Sequence, residues 1–589
     1  YEANVPFELR YMIDHGIYGC QWLRLLAGTC DLPKDGETPQ SRAQYEWRIT
    51  KKPSGGRKKW DPIDTAKRGD IGPKRILSYD IEVLRKEAGF PTADKNPIIM
   101  IACALRVAGQ KAPVQHKVCF VLRCKQTRKH VGQSNGSYFP LESAKENVDE
   151  SQDAPTTVYV FDDERDLLMA WRQYVIESDP DAFSGWNIDN FDMPYMAGRA
   201  SALGIYDQFM CFTRTIKKRC WIRESRFESK AYGVRINKEL LCEGRFSFDG
   251  LLFMHRGQTN KYPSYKLNYF SKLFLKDEKL DVDYSQIPIL FEGTDEDRTR
   301  LLWYCMKDTL LALRILDKLM AIVNGVEQCR VTGVPLKWLL IRGQGVKTFS
   351  ALLRKKQPKE HPASRSPPAR PTAGGHVEEP RRGFYTTPIV TVDFASLYPS
   401  IMRAYNICYT TKVSRAWAEA NLSPDDYHNP WPSVDAIPPE GSEPETKKRK
   451  KKLSKKERDR VTAEAERAGK QTDFVFVKEH IRKGILPDML EEFMKARSNV
   501  KNMMKKMSES DDLYCVFDGR QLALKIVCNS AYGFTKGFTV RDEDLMEAVT
   551  SWGRHLWEQV ASKVLAHFRG RRVINCTKSR AAGVDPEKN

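Results

Sequence analysis

The stretch Ile76-Leu77-Ser78-Tyr79-Asp80-Ile81-Glu82-Val83 reads as a buried β-strand with two acids set into it. Side chains on a strand alternate between faces, so Asp80 and Glu82, two apart, project to the same side of one sheet. A carboxylate in apolar surroundings is costly, and two side by side repel, unless cations neutralise them. The spacing points to metal ligands; the plainer alternative is a strand end at the surface. Apolar runs continue outward as strands from Pro97 to Val107, His116 to Arg123 and Thr156 to Phe161. A helix from Glu164 to Ile176, a short strand from Ala182 to Trp186 and a helix from Pro194 to Leu203 follow. Strands first and strand–helix alternation next indicate an α/β layered fold. Upstream, Tyr18 to Leu26 and Gln44 to Thr50 are strand-like, and Lys51 to Asp70 is a charged linker.

Two later stretches supply more acids. In Ser184-Gly185-Trp186-Asn187-Ile188-Asp189-Asn190-Phe191-Asp192 a buried strand ends in a Gly/Asn turn, and Asp192 opens the next helix. Free backbone N–H groups and the helix dipole favour an anion there, so an N-cap is the simpler reading of Asp192 alone. In Tyr304-Cys305-Met306-Lys307-Asp308, inside a helix predicted from Arg298 to Leu319, the i, i+4 spacing puts Tyr304 and Asp308 on one face. Two divalent ions about 3.5–4 Å apart hydrolyse a phosphodiester by activating the attacking water and holding the leaving oxygen.

A second group lies further on. Thr391-Val392-Asp393-Phe394-Ala395-Ser396-Leu397-Tyr398-Pro399-Ser400-Ile401 predicts a strand, a turn and a helix, with Asp393 at the strand end. In Asp518 to Thr535, residues Lys525, Asn529 and Tyr532 follow i, i+4, i+7 spacing on one helix face, a cation beside a flat ring. Arg497 and Lys501 are again four apart.

The 589 residues suffice for about three or four domains. The net charge of +20, from 96 Lys+Arg against 76 Asp+Glu, favours a polyanion, and nucleic acid is the usual one. The 14 cysteines include no Cys-x-x-Cys, which argues against a zinc ribbon or a disulfide framework and suits reduced thiols. No apolar run approaches the ~20 residues of a membrane span, so no membrane partner is expected. Lys355 to Gly375, rich in Pro, Arg and Ser, is expected to be a disordered loop. Trp431 to Gly469 holds the basic block Lys447 to Lys456, either a solvated insert or a nuclear-import or phosphate-contacting segment. The opening Tyr1-Glu2-Ala3-Asn4 has neither Met nor a leader, and is expected to be an internal cut.

Taken in order, the three acidic stretches resemble the Exo I, II and III blocks of the DEDDy 3′–5′ exonucleases, which have a ribonuclease-H-like fold. The resemblance implies Asp80, Glu82, Asp192 and Asp308 as metal ligands and Tyr304 as the residue that positions water. The later group resembles motifs A and B and the fingers of family B DNA polymerases. That resemblance implies Asp393 as a ligand of both polymerase metals, with Ser396 and Leu397 cradling the triphosphate. Tyr398 would pack under the deoxyribose, and Arg497, Lys501, Lys525, Asn529 and Tyr532 would bind the incoming nucleotide. It also implies Mg2+, two ions per active site, primer–template DNA and deoxynucleoside triphosphates as substrates, and a place in the nucleus. A sliding clamp and accessory polymerase subunits are implied by resemblance alone, and nothing in the chain supports an iron–sulfur cluster. Ser264-Tyr265-Lys266-Leu267-Asn268 is also family-like, without an assigned chemistry.

The expected architecture is multidomain, α/β and α+β. It comprises a remnant of an N-terminal domain (1–74), the exonuclease domain (75–325) and a connection with the start of the palm (326–412). Helical fingers with a basic insertion near 431–470 (413–535), a partial palm (536–574) and a divergent tail (575–589) complete it. The intact exonuclease acids argue against the alpha and zeta branches of the family, whose sites are degenerate. Asn4 to Asp14 and Arg403 to Thr410 resemble one editing replicative branch, and a DNA-virus member is the alternative. After a helix from Glu547 to Phe568 the family returns to the palm with a strand ending Tyr-Gly-Asp-Thr-Asp-Ser. Here Val573-Ile574 is followed by Asn575-Cys576-Thr577-Lys578-Ser579-Arg580, and the next acid is Asp585. One carboxylate does not hold two close divalent ions, so these 589 residues are expected to have little or no polymerase activity. A mis-spliced or truncated reading of the gene is the expected cause, ahead of a shortened isoform. An exonuclease-only product and a non-catalytic DNA-binding fragment are the competing functions.

Overall fold

The computed structural model describes residues 5–26, 31–32, 37–43, 45–47, 60–64, 70–85, 89–108, 114–124, 156–229, 233–257, 262–355, 375, 383–386, 392–431, 473–508, 512–535 and 541–567. The basic block Lys447 to Lys456, nearly all of Lys355 to Gly375, Val573-Ile574 and the tail 575–589 lie outside the described residues. The chain divides into two units, 1–343 with 509–519, and 344–508 with 520–589.

The first unit is built on a six-stranded sheet formed by β1 (Lys74–Val83), β2 (Ile98–Ala108), β3 (His116–Leu122), β4 (Thr156–Phe161), β5 (Ala182–Gly185) and β8 (Phe246–Asp249). A hairpin of β6 (Trp221–Ser229) and β7 (Gly233–Leu241) stands apart from it. The strand order is β8-β5-β1-β2-β3-β4. β1, β2 and β3 pair antiparallel, β5 runs parallel to β1 and β8, and β4 runs parallel to β3. Parallel pairs need crossovers, and helices lie in those that join β1 to β5 and β5 to β8. Two of these are α1 (Glu164–Ser178) and α2 (Asp192–Ala202); α3 (Asp295–Lys318) lies on the opposite face of the sheet.

Alternation along β1 decides which side chains meet which layer. Leu77, Tyr79 and Ile81 pack with Leu167, Leu168 and Trp171 of α1 and Met193 and Met196 of α2. Ser78, Asp80 and Glu82 take the other face, toward α3: Ser78 Oγ donates to the Thr309 carbonyl at 2.9 Å. The ladder between β1 and β2 shifts register between Glu82 and Val83, so the strand bends just after its second acid. A capping box starts α3, in which Thr294 Oγ1 accepts from Asp297 N at 3.2 Å and Asp297 accepts from Thr294 N at 2.9 Å.

Gly185 ends β5 at φ +150°, and a Cβ there would stand 2.6 Å from the Tyr79 carbonyl oxygen and 2.5 Å from Ile188 Cγ2. Only glycine lets β5 lie this close to β1. Glu164, at the start of α1, joins Arg199 of α2 in a buried ion pair and accepts from Ile98 N at 2.8 Å. Asp179, after α1, takes Arg75 at 2.6 Å and both Arg214 and Arg245 at 2.8 Å. The expected strand from Tyr18 to Leu26 shrinks to Leu23–Leu25, paired with Trp60–Pro62. Tyr45 to Trp47 are not a strand: the Glu46 carboxylate takes the Gln40 and Ser41 N–H groups at 2.9 Å and closes a loop.

The second unit is mainly helical. It contains α4 (Gly345–Lys355), α5 (Leu397–Ala404), α6 (Arg415–Asn421), α7 (Ile485–Met504), α8 (Asp512–Phe534, which joins this unit at Arg520) and α9 (Glu543–His567). A small antiparallel sheet of β9 (Lys412–Ser414), β10 (Tyr427–His428) and β11 (Phe474–Val477) has β11 in the middle. Ile401, Met402, Phe476, Leu486, Met489, Leu490, Ala531 and Leu545 form its core. Of the strand expected to end at Asp393, Thr391 lies outside the described residues, and Val392 and Asp393 are exposed and in no strand. No helix among the described residues is long and apolar enough to cross a membrane.

Candidate functional site

Asp80, Glu82 and Asp308 come together on the α3 face of the sheet, and Asp192 acts on Asp80 from the start of α2. β1 carries Asp80 and Glu82, whose carboxylate oxygens lie with Cys305 Sγ of α3 inside one group no wider than 4.8 Å. Asp192, first residue of α2, is 2% exposed and accepts from Ile81 N at 3.2 Å, which ties the start of α2 to the middle of β1. Asp308 comes from α3, one turn after Tyr304, and is buried. Its Oδ2 pairs with Lys279 Nζ, while Oδ1 is buried with no hydrogen-bond partner. Lys279 Nζ also lies 4.4 Å from the centre of the Tyr304 ring.

Burial and mutual repulsion make these acids reluctant to ionise. Burial, then Asp192, Asp308 and Glu82, raise Asp80 well above the usual carboxylate range. Burial with Asp308 and Asp192 pushes Glu82 up to about 8. Burial brings Asp192 to about 7 although backbone donors work against it, and Asp308 to about 6 although Lys279 does. Burial likewise raises the Tyr304 phenol, which is protonated at neutral pH. Three buried carboxylates and the half-buried Asp80, with Lys279 the cation paired to Asp308, are short of positive charge, and their hard oxygens, one without a partner, suit divalent metals. Asp80, Glu82 and Asp308 open on a cleft of about 1030 Å³ whose wall also includes Phe90, Tyr284 and Ile289, exposed by 78%, 71% and 71%.

Sequence reasoning missed Lys279 and Cys305. Lys279 belongs to Lys276-Asp277-Glu278-Lys279, which reads as an ordinary solvated charge run, and no local signal distinguishes it. Cys305 lies between Tyr304 and Asp308, but a cysteine between a phenol and an acid has no chemistry until the fold puts its thiol 3.8 Å from Asp80 Oδ2.

In the second unit Tyr398 of α5 and Tyr532 of α8 meet with ring centres 4.6 Å apart. Arg497 of α7 donates to Gln521 of α8 at 3.3 Å, linking the two long helices. Lys501, Lys525 and Asn529 are exposed, and Leu397 is half-buried at the start of α5. Ser396 precedes α5 at φ +59°, a left-handed turn. Asp393 is exposed, and among the described residues no group of three metal-binding side chains includes it.

Comparison with known proteins agrees with both units. Residues 1–270 match the family described as DNA polymerase family B, exonuclease domain, and residues 334–582 match DNA polymerase family B. The chain belongs to the family B DNA polymerases and carries both an exonuclease and a polymerase domain of that family, whose chemistry uses divalent metals. Within the family it is similar to the catalytic subunits of DNA polymerase delta. It is 38% identical over 578 residues to that of Arabidopsis thaliana, 36% over 575 to that of Bos taurus and 36% over 576 to that of Candida albicans. Each match covers 96% of this chain and 45%, 44% and 48% of the relative, so the chain spans about half the length of these curated relatives. The family B DNA polymerase of the archaeon Pyrobaculum calidifontis shares its fold, with a TM-score of 0.60 at 21% identity, over 96% of this chain and 58% of that one.

Proposed function

We propose that the first unit is a 3′–5′ exonuclease that trims DNA ends by metal-dependent hydrolysis, the editing half of a delta-type replicative polymerase. The observation that carries this reading is the convergence of Asp80, Glu82 and Asp308 in one cleft, with Asp192 close enough to act on Asp80 and an unpartnered carboxylate oxygen at Asp308. The four acids would hold two Mg2+ ions, which when bound supply a hydroxide-like nucleophile and stabilise the leaving oxygen. The chain's own groups do the rest. The protonated Tyr304 phenol donates a hydrogen bond that orients the attacking water. Lys279 steadies Asp308 and brings positive charge to the edge of the site. Phe90, Tyr284 and Ile289 offer a surface on which the bases of a frayed strand stack, and the net charge of +20 draws the strand in.

The second unit belongs, in this reading, to the site that extends a primer with deoxynucleoside triphosphates. Asp393 would hold metal there, Ser396, Leu397 and Tyr398 would border the nucleotide, and Arg497, Lys501, Lys525, Asn529 and Tyr532 would face it from the fingers. A sliding clamp and accessory subunits are the partners proposed from the likeness to delta subunits, and the nucleus is the proposed location. The deciding experiment incubates the purified chain with a 5′-labelled single strand and Mg2+, beside Asp80→Ala/Glu82→Ala. Stepwise shortening by the wild type alone supports the reading; equal shortening by the double variant would sink it.

A further inference from the structure

Lys279 sits in an irregular segment between the π-helical turn Ser271–Leu275 and the short helix at Tyr284–Gln286. No ladder or helix of its own fixes the backbone there, yet the lysine reaches Asp308 and Tyr304. Two contacts beside Lys279 matter most for where it sits. The side-chain carbonyl of Asn268, Oδ1, accepts from the Lys279 backbone N–H at 3.0 Å. Lys307 of α3 donates to Asp277 Oδ1 at 2.7 Å, an ion pair whose side chains are 14% and 29% exposed. The charges are crossed. Lys307 and Asp308 are neighbours on α3; one receives the segment's acid, Asp277, and the other its base, Lys279. A segment held at two points two residues apart has little freedom to carry Lys279 away.

We propose that Asn268 and the Lys307–Asp277 ion pair are positioning residues that hold Lys279 over the trimming site, an inference that rests on the nuclease reading above. The family-like stretch Ser264-Tyr265-Lys266-Leu267-Asn268 thereby acquires a role, since its last side chain pins the backbone of a residue eleven positions on, inside the acid cluster. A displacement of about 1 Å at a reacting site costs on the order of a hundredfold in rate, so a pin of this kind acts on turnover rather than on binding.

The test compares Asn268→Ala, Asn268→Asp, Asp277→Asn and Lys279→Ala, singly and each in the Lys279→Ala background. Trimming of a single-stranded 3′ end is followed beside amide hydrogen exchange in the metal-free protein. Asn268→Ala and Asp277→Asn are expected to lower kcat by about tenfold or more with KM changed less than about twofold. Asn268→Asp keeps the acceptor oxygen and restores most of the rate. In the Lys279→Ala background the other substitutions add little, because they act through that lysine. Asn268→Ala also speeds exchange of the Lys279 amide by about tenfold. Exchanging the charges, Lys307→Asp with Asp277→Lys, recovers activity lost by either change alone. Wild-type rates in Asn268→Ala, equal further losses without Lys279, or an unchanged Lys279 amide would overturn the proposal. A wild-type chain that trims nothing would overturn the nuclease reading itself, and the exchange measurement tells that failure apart because it needs no substrate.

Discussion

The ammonium of Lys279 lies 4.4 Å above the centre of the Tyr304 ring while it pairs with Asp308 on the same helix. Burial works against its charge, but Asp308 and Tyr304 hold its pKa well above that of an ordinary lysine. It is therefore a fixed cation, never a base, at neutral pH. Lys279→Ala should lower trimming by roughly a hundredfold, chiefly in kcat, because preorganised charge acts on the transition state more than on binding. Steady-state kinetics on a single-stranded substrate measure this, and a pure rise in KM would contradict it.

The acid cluster takes stability from the metal-free protein as pH rises. With Glu82 raised to about 8 in the fold, its ionisation opposes folding progressively as pH rises from its unfolded value near 4 through 8. Glu82→Gln should raise the melting temperature of the chelator-treated chain at pH 8 by a few degrees while removing most trimming. Added Mg2+ at about a hundred times its Kd should stabilise the wild type by about 2.7 kcal/mol, and the variant less. Calorimetry with and without chelator reads both.

Asp179 behaves oppositely. Burial alone would raise it, but the Arg214 hydrogen bond and charge, with Arg245 and Arg75, hold it below the usual carboxylate range. A depressed folded value contributes stability that is present above the unfolded pKa of about 3.9 and is lost as pH falls through the folded one. The structural counterpart is Arg199→Ala, which strands the buried Glu164 carboxylate and should cost about 3–5 kcal/mol in urea unfolding. Asp179→Asn should flatten the acid limb of the stability curve below about pH 4.

Asp393 stands exposed without a group of acids around it among the described residues. The 589-residue polypeptide is therefore expected to extend a primed template at least a hundredfold more slowly than it trims a 3′ end, since one carboxylate holds two metals poorly. Processive synthesis in a primer-extension assay would contradict this.

Periodicity made the sheet legible. Strand Thr156–Phe161 was bounded correctly, and β1, β2, β3, α1, α2 and α3 differ from their expected limits by a few residues at most. The apolar runs are long, and their period of two or 3.6 is enforced by layers on both faces. Asp80 and Glu82 stand out as acids in a buried strand and Asp192 as an acid at a helix start, whereas Tyr304 and Asp308, in mid-helix, are singled out only by the resemblance of the three stretches taken together. Lys279 is not singled out, because its role comes from contacts across the fold with Asn268, Asp277 and Asp308, and a charged loop gives no periodic signal. The strand expected to end at Asp393 is described only at Val392 and Asp393, which lie in none; the residues just before them are outside the described ones.

Gly185 keeps the acid-bearing strand and the turn that delivers Asp192 within a carbon's width of each other. A single methyl group added there would wedge the pair open without touching any ionisable residue. If the chain trims as proposed, such a change would slow trimming while every acid stayed in place, and a survey that inspects only the acids would miss it.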